Sequence, residues 1–366
     1  MHLQTLQLTN FKNYASEKLE FSAQLNCIVG KNGMGKTNIL DAIYYLCLCK
    51  SHFSIIDRMI VRHEQDFFRL EGVFEQQQKE TIVVKYDKRK KVIERNKAAY
   101  TTLAEHIGLL PVIMITPDDT LLITEGSENR RKFMDLFLVQ SDSQYLTALM
   151  QYNKLLLQRN TFLKQAKHPL EIDFNLLEIY NQQLLAPAQY IYEQRKEFNA
   201  QLRPLFQQYY QAIAGNNEVV DFSYESQLHE DSLINLFAQS QEKDAWLQRT
   251  TKGVHKDDLK LIIDGYPVKK FASQGQLKSY LLALKLGQYE LLRQSIGRPP
   301  LLLLDDIFDK LDSNRVKHLL TLLLQKEFGQ VFITDTHLDR IATIVAKMSS
   351  DFKQFEIVEG TAISAT

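Results

Sequence analysis

Gly30-Lys31-Asn32-Gly33-Met34-Gly35-Lys36-Thr37 carries the spacing GxxxxGK[ST], the pattern of a loop that folds its backbone around phosphate. Glycines let successive N–H groups converge on phosphate oxygens at the positive end of a helix, where Lys36 reaches the β- and γ-phosphates and the Thr37 hydroxyl offers Mg²⁺ a hard oxygen. The competing reading is a glycine-rich turn with a chance lysine. It loses ground because an apolar strand candidate precedes the loop and a helix candidate follows it.

Leu301-Leu302-Leu303-Leu304-Asp305-Asp306 is an apolar run ending in two carboxylates. In a parallel nucleotide-binding sheet this would place Asp305 beside the loop, holding Mg²⁺ through water, with Asp306 able to polarise an attacking water. Alone, such a strand end is commonplace; the phosphate loop gives it meaning. Ser273-Gln274-Gly275-Gln276 opens a helix-period stretch about 30 residues upstream, so a hydroxyl, backbone amides and a helix dipole meet at one spot. By itself it would be an ordinary N-cap.

These residues need a sheet and helices to position them. Leu6 and Leu8 alternate with polar neighbours in a strand over 2–9, LNCIV at 25–29 is a second strand, and a helix runs from Lys36 to about Cys49. Period-two patterning from Phe67 to about Lys97 reads as an antiparallel meander, with turns near Gln76–Lys79 and Asp87–Lys90, and PVIMIT at 111–116 as a buried strand. From Glu128 to Gly215 helix periodicity dominates, with breaks or kinks at Pro169 and Pro187. Strands are expected again at 259–265, 301–305, 330–335 and 355–358, and helices at 277–294, from about Ser313, and after 335. Strands at both ends with helices between make an α/β domain interrupted by an insertion.

The 366 residues carry 44 Lys+Arg and 44 Asp+Glu, so any affinity for nucleic acid rests on a local basic surface rather than on net charge. Hydrophobic residues at 45% and charged residues at 24% exclude collagen-like and wholly disordered classes. Cys27, Cys47 and Cys49 lie in apolar surroundings, and no second cysteine pair completes a zinc set, which suggests core thiols in a reducing compartment. No signal-peptide pattern and no apolar run of about 18 residues occurs, so the expected location is cytoplasmic.

In order along the chain, phosphate loop, insertion, Ser-x-Gly-Gln helix, carboxylate strand, Leu311-Asp312 and Thr334-Asp335-Thr336-His337 resemble the ABC/SMC group of ATPases and, within it, the RecF family. LTNFKNY, GKNGMGKTNILDAIYYL, MITPDDTLLITEGSENRRKFMD, SQGQ with LALKL, LLLLDDIFDKLD and VFITDTH carry the resemblance over nearly the whole chain. The family's Gly-Pro-His-Arg-Asp-Asp segment departs here to Gly253-Val254-His255-Lys256-Asp257-Asp258.

The resemblance implies an ABC/SMC-type ATPase head, in which a P-loop NTPase sheet with an antiparallel β-subdomain occupies 1–115 and 296–366. A mainly helical lobe over 116–295 would carry the signature. Gly30–Thr37 would be the Walker A loop, with Lys31, Asn32, Gly33, Met34, Gly35 and Lys36 around ATP. Asp305 with Thr37 would hold Mg²⁺, and Asp306, Lys36 and His337 would serve catalysis. Ser273, Gly275 and Gln276 would contact ATP bound to a second protomer, with Asp312 at that seam. The implied function is recombinational DNA repair and replication restart by a weak, DNA-stimulated ATPase that dimerises on ATP and helps load recombinase with RecR and RecO.

A transporter ATPase subunit would share the motif order but would carry Glu after the Walker B aspartate and a fuller Leu-Ser-Gly-Gly-Gln signature. A small-molecule kinase would leave the Ser273 helix without purpose, and a passive DNA-binding scaffold would not turn ATP over. Two basic clusters are candidate DNA contacts, each with a plain structural alternative: Lys88, Arg89, Lys90, Lys91 and Arg95 in the hairpin, and Arg130, Arg131 and Lys132.

Overall fold

Leu25–Val29 is buried along its whole length because it lies inside a parallel sheet covered on both faces. The computed structural model describes residues 1–366 except 89, 167, 216–217, 309–314, 317, 320, 323–327, 338–351 and 365–366. In chain order the first elements are β1 (His2–Phe11), β2 (Tyr14–Glu20), β3 (Leu25–Val29) and α1 (Lys36–Leu48). The meander follows as β4 (Phe67–Glu75), β5 (Lys79–Asp87), β6 (Lys90–Arg95) and β7 (Ala98–Ala99), and then β8 (Val112–Ile115).

The chain divides into two units. One comprises Met1–Asp119, Gln208–Gly215 and Gln274–Thr366; the other comprises Thr120–Gln207 and Asn216–Ser273.

The second unit contains α2 (Leu121–Thr124), α3 (Ser127–Ser141), α4 (Ser143–Gln165), most of α5 (Phe174–Ala214), β9 (Val220–Glu225), α6 (Leu233–Leu247), β10 (Asp258–Ile263), β11 (Tyr266–Pro267) and α7 (Val268–Phe271). Its small sheet runs β11-β10-β9 and is antiparallel. Pro187 does not break the helical stretch: it lies, with Pro204, inside the 41-residue α5. Each proline forfeits an amide bond, about 3 kcal/mol in a helix interior. A continuous buried stripe that includes Leu177, Leu184, Ala188, Ile191, Phe198, Leu202 and Phe206 offsets that loss.

The first unit adds α8 (Gln274–Ile296), β12 (Leu301–Leu304), β13 (Val331–Asp335), β14 (Phe352–Val358) and β15 (Thr361–Ser364). Its central sheet runs β15-β14-β3-β13-β12-β8, parallel throughout except for β15. A second sheet, β2-β1-β4-β5-β6-β7, is the antiparallel subdomain. The buried Gln330 joins the two, its amide donating to Leu3 O at 2.8 Å and Ser22 O at 2.7 Å while its oxygen accepts from Leu3 N at 2.6 Å.

The signature helix sits in the sheet unit, whereas the sequence grouped 116–295 together. The reason is its burial: every residue from Ser279 to Leu292 is buried, so α8 is a core helix with no solvent face over that stretch. Expected strands and helices before residue 308 otherwise recur within a few residues; β2, α2, β9, α6, β11, α7 and β15 were not anticipated. The helix expected after 335 and the position of Asp312 lie outside the described residues. No helix among the described residues is long and apolar enough to cross a membrane.

Candidate nucleotide site

β3, β13 and β12 are adjacent parallel strands, so their C-terminal ends open on one edge of the sheet. There the chain leaves β3 as the 30–35 loop and enters α1 at Lys36. Gly30, Gly33 and Gly35 have φ of 152°, 81° and 113°, a backbone that side chains rarely adopt. Gly35 is required twice over, since a Cβ there would also lie 2.5 Å from Asn13 Nδ2.

Lys36 is buried, its Nζ donating to Gly30 O at 2.8 Å and Lys31 O at 3.2 Å, so the ammonium is held inside the loop's concavity. Thr37 Oγ1 donates to Asp305, at 2.9 Å from Oδ1 and 3.0 Å from Oδ2. Thr334 stands on β13, between the strands that deliver these two residues. Its hydroxyl donates to Asp305 Oδ1 at 2.8 Å and accepts from the Asp306 amide at 2.9 Å. Burial raises the pKa of the Asp305 carboxyl, opposed by the Thr334 and Thr37 hydrogen bonds, with the charge of Asp306 adding to the rise and Lys36 countering it.

Asp306 has φ 42°, a left-handed turn that Asp tolerates better than most residues and that turns the chain sharply after Asp305. The exposed His337 follows β13 and is tethered through its own amide, which donates to Asp335 Oδ1 at 2.9 Å. Gly275 and Gln276 lie in the first turn of α8, immediately after Ser273.

The loop tip has supports that sequence reasoning missed. Asn13 Nδ2 donates to Met34 O at 2.9 Å, Tyr14 OH donates to Gly35 O at 3.1 Å, and Gly360 N donates to Met34 O at 3.2 Å. Thus the β1–β2 turn and the β14–β15 turn both brace the loop. The Asn-Tyr pair in LTNFKNY was the only signal available for this in the sequence, and it did not say which loop the pair would meet.

The donor set can be tested against Mg²⁺. Thr37 hydroxyl and Asp305 carboxylate are both hard oxygens, and Mg²⁺ is held by one or two such groups together with substrate phosphates rather than by a closed protein cage. The residues fit. No group of three or more His, Cys, Asp or Glu residues with metal-site placement occurs among the described residues.

The family model for the RecF/RecN/SMC N terminal domain matches residues 2–355. "DNA replication and repair protein RecF" of Flavobacterium johnsoniae is 45% identical over 359 residues, covering 98% of this chain and 100% of that protein. The chain belongs to the RecF family. Its Bacteroides thetaiotaomicron relative of the same name is 42% identical over 363 residues, covering 98% of each. Among solved structures, that of the recombination mediator protein RecF-ATP in the RecFOR pathway matches with TM-score 0.87 at 29% identity, covering 100% of this chain and 98% of that one. An SMC head domain from Pyrococcus furiosus matches with TM-score 0.58 at 16% identity, covering 100% and 96%, a likeness of fold.

In this RecF-family chain several residues of the basic clusters are engaged within the fold. Arg130 Nη1 donates to Leu122 O and Glu125 O, and its guanidinium pairs with Asp258 at 2.5 Å; Arg131 donates to Asp257 O at 2.7 Å; Lys132 pairs with Glu128 at 2.7 Å. In the hairpin, Arg95 pairs with Glu80 and Lys91 with Asp57, while Lys88 and Lys90 are exposed and Arg89 lies outside the described residues.

The variant segment 253–258 is likewise a structural latch. Tyr152 OH and His255 Nδ1 lie 2.7 Å apart, and the buried Arg195 donates to Val254 O at 2.7 Å and to Asp257 Oδ2 at 2.8 Å. The three cysteines are free and buried, and burial pushes the Cys27 and Cys49 thiols up to about 12.

Proposed function

We propose that this chain is an ATP-operated, DNA-binding protein of recombinational repair and replication restart. The observation that carries the reading is the convergence of Lys36, Thr37 and Asp305 at the open edge of a parallel sheet in a RecF-family chain.

ATP binds in the 30–37 loop, with the loop amides and Lys36 around its phosphates. When bound, Mg²⁺ supplies charge neutralisation between phosphate oxygens; Thr37 and Asp305 would hold it. Asp306 orients and polarises the attacking water as general base, at a position set by Thr334. His337, two residues beyond the end of the strand that neighbours β12, registers the γ-phosphate.

Ser273, Gly275 and Gln276 present a helix start to ATP bound on a second protomer, and Asp312 lines the same seam. ATP then joins two copies of the chain, closure completes a DNA-binding surface, and hydrolysis opens it. Turnover is slow and stimulated by DNA, and the protein works in the cytoplasm with RecR and RecO to load recombinase at gaps. Asp306 in place of Glu, and SQGQ in place of Leu-Ser-Gly-Gly-Gln, favour this over a transporter's ATPase subunit.

Lys36→Ala tests the site. It should abolish tight ATP binding, measured by equilibrium dialysis; undiminished affinity would remove the loop from the mechanism.

A further inference from the structure

Residue 275 has a neighbour that phosphate binding alone does not require. A Cβ added to Gly275 would collide with the guanidinium of Arg315, whose Cζ lies 3.5 Å from that point. Both residues belong to the sheet unit. The chain is helical at 315–316, 318–319 and 321–322, and Leu319 and Leu322 are buried. Arg315 precedes them by four and seven residues, so it shares their inward helix face.

From this contact we infer that Arg315 is a further nucleotide-contacting residue. Lying against the helix start that carries Gly275, its guanidinium reaches the polyphosphate of the ATP held in the other protomer's loop. The inference rests on the cross-protomer reading above and adds a cation to it. The chemistry suits the ligand: a planar guanidinium binds phosphate oxygens through paired N–H donors, and it does so best where water is excluded. It also gives Gly275 a second reason to lack a side chain. The arginine can lie flat across the start of α8, where a phosphate would meet both the helix amides and the guanidinium.

The test mixes two inactive variants of the full chain. Asp306→Asn binds ATP but lacks the water-polarising carboxylate; Arg315→Met keeps side-chain length and loses the charge. Each alone should turn ATP over about a hundredfold more slowly than the parent, the size of effect seen when one transition-state donor is removed. Mixed in equal amounts, half of randomly paired dimers contain one site with an intact Asp306 from one protomer and an intact Arg315 from the other. Turnover should recover to about a quarter of the parent rate.

Ser273→Arg mixed with Asp306→Asn is the control for the cross-protomer arrangement itself. Recovery in the control but not with Arg315→Met overturns the role of Arg315 while leaving the dimer intact. Recovery in neither overturns both. Arg315→Lys should retain more turnover than Arg315→Met; equal rates, or a wild-type rate for Arg315→Met, would mean that the side chain only packs. Binding of ADP by Arg315→Met at parental affinity shows that the variant is folded, and Gly275→Ala should reproduce its defect by displacing the guanidinium.

Discussion

The Thr37 hydroxyl lies within 3.0 Å of both carboxylate oxygens of Asp305, although 268 residues separate the two in the chain. A helix start and a strand end thus deliver two hard oxygens to one point, and the cost is a carboxylate buried at 4% exposure. Burial raises the folded-state pKa of Asp305 above its value in an unfolded chain. The folded state then holds that proton more tightly, and the stability it contributes is lost as pH rises through the raised pKa.

Asp305→Asn should therefore melt at a higher temperature than the parent at neutral pH without nucleotide, by calorimetry, while losing Mg²⁺-dependent ATP binding. In the parent, Mg²⁺-dependent binding should weaken on acidification at a higher pH than an ordinary aspartate would set. A lower melting temperature for Asp305→Asn would show that its ionised form is stabilising.

Thr334 links the Asp305 carboxylate to the Asp306 amide. Thr334→Val keeps the shape and removes both bonds, leaving buried polar groups short of partners at about 1–3 kcal/mol. Turnover should fall about tenfold or more with ATP affinity little changed, and Thr334→Ser should restore it. Equal losses in affinity and turnover would place Thr334 in binding rather than in orienting the Asp306 backbone.

Much of this site was legible in the sequence because its parts are local. The 30–37 loop needs particular residue types at fixed spacing, and LLLLDD declares a buried strand with charged residues at its end. Asn13, Tyr14 and Thr334 were not legible as supports because their contacts depend on strand order, and nothing in LTNFKNY says which loop the β1–β2 turn will brace. Of the break or kink expected at Pro187, the break does not occur: local geometry argues for one, whereas a long buried stripe outweighs it. The contacts of Arg130 with Asp258 and of Arg131 with a backbone carbonyl were likewise not legible, because they join residues more than 120 positions apart.

Gly35→Ala tests the bracing of the loop. With φ 113° and Asn13 Nδ2 at 2.5 Å from the new methyl position, the substitution strains the backbone and displaces Asn13. A cost of about 1–3 kcal/mol at the loop corresponds to roughly a tenfold to hundredfold loss in ATP affinity, measurable by titration calorimetry. Parental affinity would show that the loop tolerates displacement of its brace.

His255 should make the protein sensitive to mild acid. Burial lowers its pKa to about 4, so between about 6.5 and 4 the unfolded chain takes up a proton that the folded chain refuses. Stability attributable to this group is complete above about pH 6.5 and is lost as pH falls toward 4, on the order of 3 kcal/mol. Urea melts of His255→Gln across that window should show a shallower pH dependence than the parent. An unchanged slope would assign the acid sensitivity to other groups.

The most direct measurement is the mass of Asp306→Asn in solution by light scattering with ATP, with ADP and without nucleotide. Asparagine tolerates the left-handed backbone at 306, so the variant should keep the turn while slowing hydrolysis. Twice the mass of one chain with ATP, and the mass of one chain in the other two conditions, is the result expected of a triphosphate shared between subunits. A single-chain mass at saturating ATP, with nucleotide demonstrably bound, would contradict the account.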